Sequence, residues 1–294
     1  MKKYLVTGGA GFIGSHLVSE LIKQGLEVRV LDNLSQGNKS WVSDRAEFIK
    51  GDITDLEMCK ISCEDMDGIF HLAAMSRVAP SINKFEYCTD QNIIGTQNIL
   101  IASRDSSVKK LIYTGSSSYY GNLTPPQSEN FLPDCLNPYA LSKYVGEQFS
   151  EMFTRIYNLE TLSLRLFNVY GPRQPRVGPY ALVIGIFLEQ LQNGKSLTIH
   201  GDGSQRRDFI HVKDVVCALI KAMESDAKGM VLNIGSGANY SIQEIANIIS
   251  LDQTYYPRRE GDADETLADI KLVKNIIGWR PNIDLEQGLK ELKS

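Results

Sequence analysis

The sequence predicts an α/β protein: a doubly wound, mostly parallel sheet with a smaller C-terminal domain. Two observations carry that prediction. Short apolar runs alternate with helix-period segments from the N-terminus to about residue 166, and a glycine-rich turn joins the first run to the first helix. A third observation places the second domain. After Tyr170 the texture changes, with Gly171-Pro172, Pro175, Gly178-Pro179, Gly201-Asp202-Gly203 and residues 257–262 breaking the pattern.

In chain order, residues 4–6 read as a strand, 12–24 as a helix, and 27–31, 47–50 and 68–71 as further strands. Residues 91–103 read as one helix and 111–113 as a strand. Residues 139–157 set Val145, Phe149, Met152, Phe153 and Ile156 on one helical face, and 161–166 read as another buried strand. The sheet is therefore expected to be six or seven strands wide. The first domain is expected over 1–170, with a segment near 208–235 returning to it, because 208–224 and 231–234 read as a helix and a strand suited to the same sheet. The second domain takes 171–294.

Composition narrows the function. The chain has 294 residues, 43% hydrophobic and 22% charged, enough for a large core. Its 31 basic and 35 acidic residues give a formal net charge of −4 with no long run of one sign, so no polyanion-binding surface and no nucleic-acid partner is expected. Cys59, Cys63, Cys88, Cys135 and Cys217 show neither metal-ligand spacing nor a disulfide framework, which suits a reducing, cytoplasmic setting. The apolar stretch after Lys3 is too short for a secretory signal, and residues 181–188 fall far short of a membrane span. His200 and His211 have no metal-ligand spacing, and no metal is expected.

The first turn, TGGAGFIG, supplies Gly8, Gly9, Gly11 and Gly14 between strand and helix. Glycine allows the tight turn and a close backbone approach to a pyrophosphate, whose charge then faces the helix N-terminus. Asp32 ends the second strand 18 residues after Gly14, where a carboxylate accepts bonds from ribose hydroxyls. Such a carboxylate repels a 2′-phosphate, and no arginine follows it directly, so NAD is expected rather than NADP. This is the Rossmann-type dinucleotide site. Asp52-Ile53 either brackets the adenine or forms a generic turn.

Tyr139 and Lys143 are four residues apart, so a helix projects both toward one ligand. A free phenol, with a pKa of about 10, is a poor base, but a neighbouring ammonium favours the phenolate. The pair follows Asn137-Pro138, a helix start. It lies downstream of a strand ending in Thr114-Gly115-Ser116, at the carboxyl edge where open sheets bind ligands. Ser116 is the natural partner for a substrate hydroxyl. Ser117 and Ser118 fit a site or a solvated loop equally. Glu147 and Glu151 read as solvated or dimer-facing, Arg173 and Arg176 as loop charges, and His16 and His71 as packing or hydrogen-bonding residues.

TGGAGFIGSHL, Asp32, GDITD, HLAA, Asn92 in NIIGT, the serine strand, PYALSK, LRLFNVYGPRQ, GDGSQRRDFIHVKDV and NIG together resemble the extended short-chain dehydrogenase/reductase family, over nearly the whole chain. Within it the chain most resembles the UDP-hexose 4-epimerases, including those that accept N-acetylated sugars. The resemblance implies Ser116, Tyr139 and Lys143 as the catalytic set, with Lys143 gripping the nicotinamide ribose. It implies tightly held NAD, contacted by Phe12, Ile13, Asn33, Ser35, Leu72, Ala73, Ala74 and Asn92 besides the glycines, Asp32, Asp52 and Ile53. For a UDP-sugar it implies Ser76, Ser116, Ser117, Ser118, Asn168, Arg207, Arg259, Asp262 and Thr266. Thr266 aligns where a tyrosine narrows the sugar pocket of some epimerases. A homodimer through the Tyr139 helix and the helix near 91–103 is also implied.

Relatives that eliminate water or carbon dioxide usually carry acids just after the residue matching Ser116. Here Ser117 and Ser118 stand there, which favours return of hydride, and hence epimerisation, over 4,6-dehydration. UDP-glucuronate 4-epimerases remain a competing subgroup. A noncatalytic dinucleotide sensor is the alternative of another class.

Overall fold

A computed structural model describes residues 2–257 and 264–293. Along the chain, β1 (Lys3–Thr7), α1 (Phe12–Lys23), β2 (Glu27–Asp32), β3 (Glu47–Lys50), α2 (Leu56–Cys63), β4 (Gly68–His71), α3 (Val78–Asn83), α4 (Phe85–Thr89), α5 (Gly95–Asp105), β5 (Lys110–Ser116), α6 (Pro138–Tyr157) and β6 (Glu160–Leu166) come first. They are followed by β7 (Asn168–Tyr170), α7 (Val183–Gln192), β8 (Leu197–His200), β9 (Arg206–Arg207), β10 (Phe209–His211), α8 (Val212–Glu224), β11 (Met230–Ile234), β12 (Tyr240–Ser241), α9 (Ile242–Ile249), β13 (Gln253–Tyr256), α10 (Lys271–Ile277) and α11 (Leu285–Lys293).

Seven parallel strands form the central sheet in the order β3-β2-β1-β4-β5-β6-β11. Alternate residues along each strand enter opposite layers, as a two-residue period requires. Val6, Phe70 and Ile112 join the core beneath α1 and α8, whereas Leu5, Ile69, Leu111 and Tyr113 join the core beneath α2, α5 and α6. Every residue of β5 is buried, because helices cover both faces of this inner strand. The chain winds one way through β1, β2 and β3 and then crosses to β4. The strand order thus reverses between β1 and β4, and a crevice opens at their carboxyl ends.

The last strand of the sheet, β11, comes from the C-terminal half and pairs with β6, Leu232 opposite Leu164. Helix α8 packs on α1. Around a separate core of Ile184, Phe187, Leu197, Ile245 and Leu289, two-stranded pairs β8 with β13 and β9 with β12 build the rest of that half.

Two expectations about helices are corrected. Residues 91–103 are not one regular helix. Asp90–Ile94 forms a π-turn before α5, and Asn92 uses that turn to accept from the Met75 amide (2.7 Å) and to donate to the Ser142 hydroxyl (2.8 Å). In α6 the buried face shares only Phe153 with the apolar row. It consists of Ala140, Ser142, Lys143, Gly146, Glu147, Ser150 and Phe153, while Val145, Phe149 and Met152 are half-buried and Ile156 is 56% exposed. The reason is close packing on β5: a Cβ on Gly146 would overlap the Tyr113 ring, so small and polar residues face the strand.

Glu147 is likewise neither solvated nor turned to the outer surface. Its carboxylate takes two bonds from Arg165, at 2.6 and 2.9 Å, and both side chains are 3% exposed. The Arg165 guanidinium also lies 3.5 Å from the centre of the Tyr119 ring. Glu151 is exposed, as the sequence suggested. No helix among the described residues is long and apolar enough to cross a membrane.

Candidate active site

A cavity of about 860 Å³ runs along the carboxyl ends of the strands from the glycine turn to the start of α6. At one end Gly8 holds φ +70°, and its missing side chain leaves room for the Ala73 amide. A Cβ on Gly14 would fall inside the shell of the Gly8 carbonyl oxygen. Helix α1 therefore starts tight against β1. Its N-cap, Gly11, offers no side-chain acceptor, so the first-turn amides face the cavity together with Phe12 and Ile13. A backbone cradle that only glycine can line, at the positive end of a helix, fits a dinucleotide's pyrophosphate.

Asp32 lines the same end, and its carboxylate accepts from the Ala10 amide (2.9 Å) and the Leu34 amide (2.8 Å). Burial raises its pKa while these two amides lower it. With its orientation fixed by the backbone, it can still receive ribose hydroxyls. Asn33, Ser35, Ile53, Leu72, Ala73 and Ala74 also line the cavity. Asp52 and Asn92 do not. Asp52 stands behind Asn33, accepting from its amide nitrogen (2.7 Å) and from Gln91 (2.9 Å), and Asn92 holds Met75 and Ser142. Burial pushes the Asp52 carboxyl up, but bonds from Thr54, Asn33 and Gln91 outweigh it and hold the carboxyl below its ordinary value.

At the other end, Ser116, Ser117, Ser118, Tyr139, Lys143, Ser76 and Asn168 line the wall. Ser116 closes β5, and its hydroxyl donates to Ser118 Oγ at 3.1 Å. Asn137 caps α6 by accepting from the Ala140 amide (2.9 Å), Pro138 begins the helix, and one turn sets Tyr139 and Lys143 on the cavity side. The Lys143 ammonium sits 4.5 Å above the centre of the Tyr113 ring. Burial pushes Lys143 down to about 7. Burial also raises the Tyr139 phenol, while Ser116 and the positive charge of Arg77 pull it back down. On balance burial prevails, and the tyrosine is held as a phenol beside Ser116.

His71, behind this wall, bridges Thr7 (2.7 Å) and Thr96 (3.0 Å), and His16 bonds the Pro172 carbonyl (2.8 Å), in keeping with packing and hydrogen-bonding roles.

Several expected residues lie elsewhere. Arg207 donates to the backbone carbonyls of Arg206 (2.9 Å) and Asp264 (3.4 Å) and does not line the cavity. Nor does Thr266, whose hydroxyl accepts from the Asp208 amide at 3.3 Å. Arg259 and Asp262 lie outside the described residues.

Other residues line the cavity without a signal in the sequence: Arg77, Lys84, Tyr87, Trp41 and Tyr180. Arg173 is corrected from a loop charge. It holds φ +65°, lines the cavity, and its Nη1 is buried with no hydrogen-bond partner among the described residues. Its place three residues after the largely buried run 164–170 was the available clue.

The family model of the NAD dependent epimerase/dehydratase family matches residues 4–235. A putative UDP-glucose 4-epimerase of Methanocaldococcus jannaschii is 40% identical, with 98% of this chain and 96% of that protein covered. The crystal structure of UDP-glucose 4-epimerase with UDP-glucose from Thermotoga maritima superposes with TM-score 0.94 at 38% identity, covering 98% and 96% of the two chains. UDP-N-acetylglucosamine 4-epimerase from Methanobrevibacter ruminantium, in complex with UDP-N-acetylmuramic acid, gives TM-score 0.95 at 36% identity, covering 99% and 97%. With the glycine cradle, the serine strand and the Tyr139/Lys143 helix on one cavity, the chain belongs to the NAD dependent epimerase/dehydratase family.

Proposed function

We propose that this protein is an NAD-dependent UDP-hexose 4-epimerase, converting UDP-glucose and UDP-galactose, and their N-acetylated counterparts, through a transient 4-keto sugar. The observation that carries this reading is the single cavity shared by Ser116, Tyr139 and Lys143 at one end and the glycine turn with Asp32 at the other. The cavity would hold NAD, which would supply a hydride acceptor for carbon 4 of the sugar and a donor to the opposite face of the same carbon. Tyr139 takes the proton of the 4-hydroxyl and, once the 4-keto sugar has turned over in the pocket, returns it to the same oxygen, Ser116 fixes that oxygen, and Lys143 holds the nicotinamide ribose. Gly8, Gly11, Gly14 and the first turn of α1 hold the pyrophosphate, and Asp32 the adenosine ribose. Asn168, Arg259 and Asp262 are assigned to the uridine diphosphate and Ser76 to the sugar's surroundings; Arg207 and Thr266, off the cavity wall, keep only the uridine diphosphate and sugar contacts that the family resemblance implies.

The lining also bears on the reaction. Asp32 is the one carboxylate among the described cavity-lining residues, and it lies at the far end from Tyr139. Removing water across carbons 5 and 6 needs a proton donor and acceptor beside the sugar. Ser117 and Ser118 supply no such acid, which supports epimerisation over 4,6-dehydration.

The remaining assignments follow the same reading. The NAD-binding domain is 1–170 with the return near 208–235, and the sugar-nucleotide domain is the rest of 171–294. A homodimer through α5 and α6 is supported by the apolar row of α6 that the sheet leaves partly uncovered, with Leu141 50% and Ile156 56% exposed. A cytoplasmic setting suits five free cysteines.

The test is to incubate the purified protein, without added cofactor, with UDP-glucose, UDP-N-acetylglucosamine and UDP-glucuronate in turn, following the anomeric protons by NMR. Galacto signals establish the 4-epimerase with retained NAD. A persistent 4-keto-6-deoxy product would replace the reading with a dehydratase, and no change even with NAD supplied would favour another sugar nucleotide or a sensor.

A further inference from the structure

Arg77 is an arginine in the wrong place for a structural charge. It stands at the start of α3, and its Nε donates to the Tyr180 carbonyl at 3.0 Å, tying the loop before α7 to the cavity wall. The rest of the guanidinium has no hydrogen-bond or ion-pair partner among the described residues, and it lines the cavity on the Tyr139 side. It is close enough for its charge to act on the Tyr139 phenol. Arg173 lies on the same cavity with one nitrogen equally unpartnered. Among the described residues, the lining holds Arg77, Lys84, Lys143, Arg173 and Arg176 against one carboxylate, Asp32, at the opposite end.

Arg77 is half-buried and has no counter-ion among the described residues, so a ligand that fills the cavity removes its remaining water and must itself supply an anion. The pyrophosphate of the dinucleotide faces α1, at the other end. On the reading given above, the group beside Tyr139 is the sugar ring at carbon 4. Substituents within reach of both Tyr139 and Arg77 then lie on carbon 3 or carbon 5. A neutral hydroxyl there would not offset the desolvation of a guanidinium, whereas a carboxylate matches its fork and its charge.

We propose that Arg77 is a specificity residue that binds a carboxylate on the sugar, so that, beyond the neutral UDP-hexoses, the enzyme acts on UDP-sugars carrying an acid. The acid is either the carbon 6 carboxylate of a hexuronic acid or a carboxylate on a carbon 3 ether. This inference rests on the epimerase reading.

The test compares kcat/KM for two acid/neutral pairs, UDP-glucuronate with UDP-glucose and UDP-N-acetylmuramate with UDP-N-acetylglucosamine, in the wild type and in Arg77→Gln and Arg77→Lys. The expected result is that the wild type turns over at least one acid, and that Arg77→Gln lowers the acid-to-neutral ratio for that pair at least about 30-fold, mostly through KM. Arg77→Lys, which keeps the charge, should recover part of the loss. The pair that responds identifies which acid is read.

Turnover of the neutral sugars alone by the wild type would overturn the inference, leave the epimerase reading intact, and require no folded variant. An unchanged ratio in Arg77→Gln would also overturn it. Absence of turnover with all four nucleotides, NAD supplied, would remove the epimerase reading and the inference with it.

Discussion

Tyr139 and His71 show how much a single side chain's behaviour depends on what surrounds it. Tyr139, influenced by the Ser116 hydroxyl and the Arg77 charge, is assigned the proton transfer, so Tyr139→Phe should lower turnover by between about 10² and 10⁴ while leaving sugar-nucleotide affinity nearly unchanged. Single-turnover kinetics with binding by calorimetry checks both halves. A sensor would instead keep its full ligand response.

His71 is 1% exposed and bridges two threonines as a neutral ring, and burial, with a smaller push from Lys143, lowers its pKa to about 3. In the unfolded chain it titrates near its ordinary value of about 6.5. Above that value both states are neutral and its contribution is fully present. As pH falls toward 3 only the unfolded state takes the proton, so stability is lost. Melting temperature should therefore fall between pH 6.5 and 4, with a shallower slope in His71→Gln. Equal slopes would remove this group as the cause.

Among the elements, α6 carries the most. Its inner row holds Lys143, Gly146 and Glu147, while Leu141 and Ile156 are exposed and only Phe153 of the predicted apolar row is fully buried, an arrangement that amphipathic spacing does not suggest for a helix on a sheet. The arrangement follows from the partner strand. Tyr113 needs the space of Gly146, and Arg165 on β6 needs the carboxylate of Glu147. Removing that carboxylate leaves a buried guanidinium without its ion pair. Glu147→Ala should cost about 3–5 kcal/mol by chemical denaturation, and Glu147→Ala with Arg165→Met should recover much of it. A loss below about 1 kcal/mol would place the pair in the range of a surface ion pair.

The same helix shows what local pattern can deliver. The spacing of Tyr139 and Lys143 and their cap at Asn137 were legible, because one turn of helix fixes them. Glu147 was not, because its partner lies 18 residues away on a neighbouring strand.

At the scale of the whole molecule, the sheet is completed by a strand from the far half of the chain. β11 covers β6, and α8 covers α1. A fragment of residues 1–170 therefore lacks one sheet edge and much of one covering layer, including Val212, Val215, Leu219 and Leu232 of the shared core. It should fail to melt cooperatively or to bind NAD, in contrast to the full chain. A cooperative transition followed by near-ultraviolet circular dichroism would contradict this.

The fold class, the glycine cradle with Asp32, and the facing of Tyr139 and Lys143 were determined by the sequence alone. Each depends on residues within one or two turns, or on a period of two or 3.6 that the chain repeats. Tertiary structure alone decided that Arg77 and Arg173 line the cavity, that Asp52 and Asn92 stand behind it, and that Glu147 pairs with Arg165. Those are contacts between segments far apart in the chain, for which an isolated arginine or glutamate leaves no periodic trace. Burial, and with it the cost of an unpaired charge, exists only once the layers have closed.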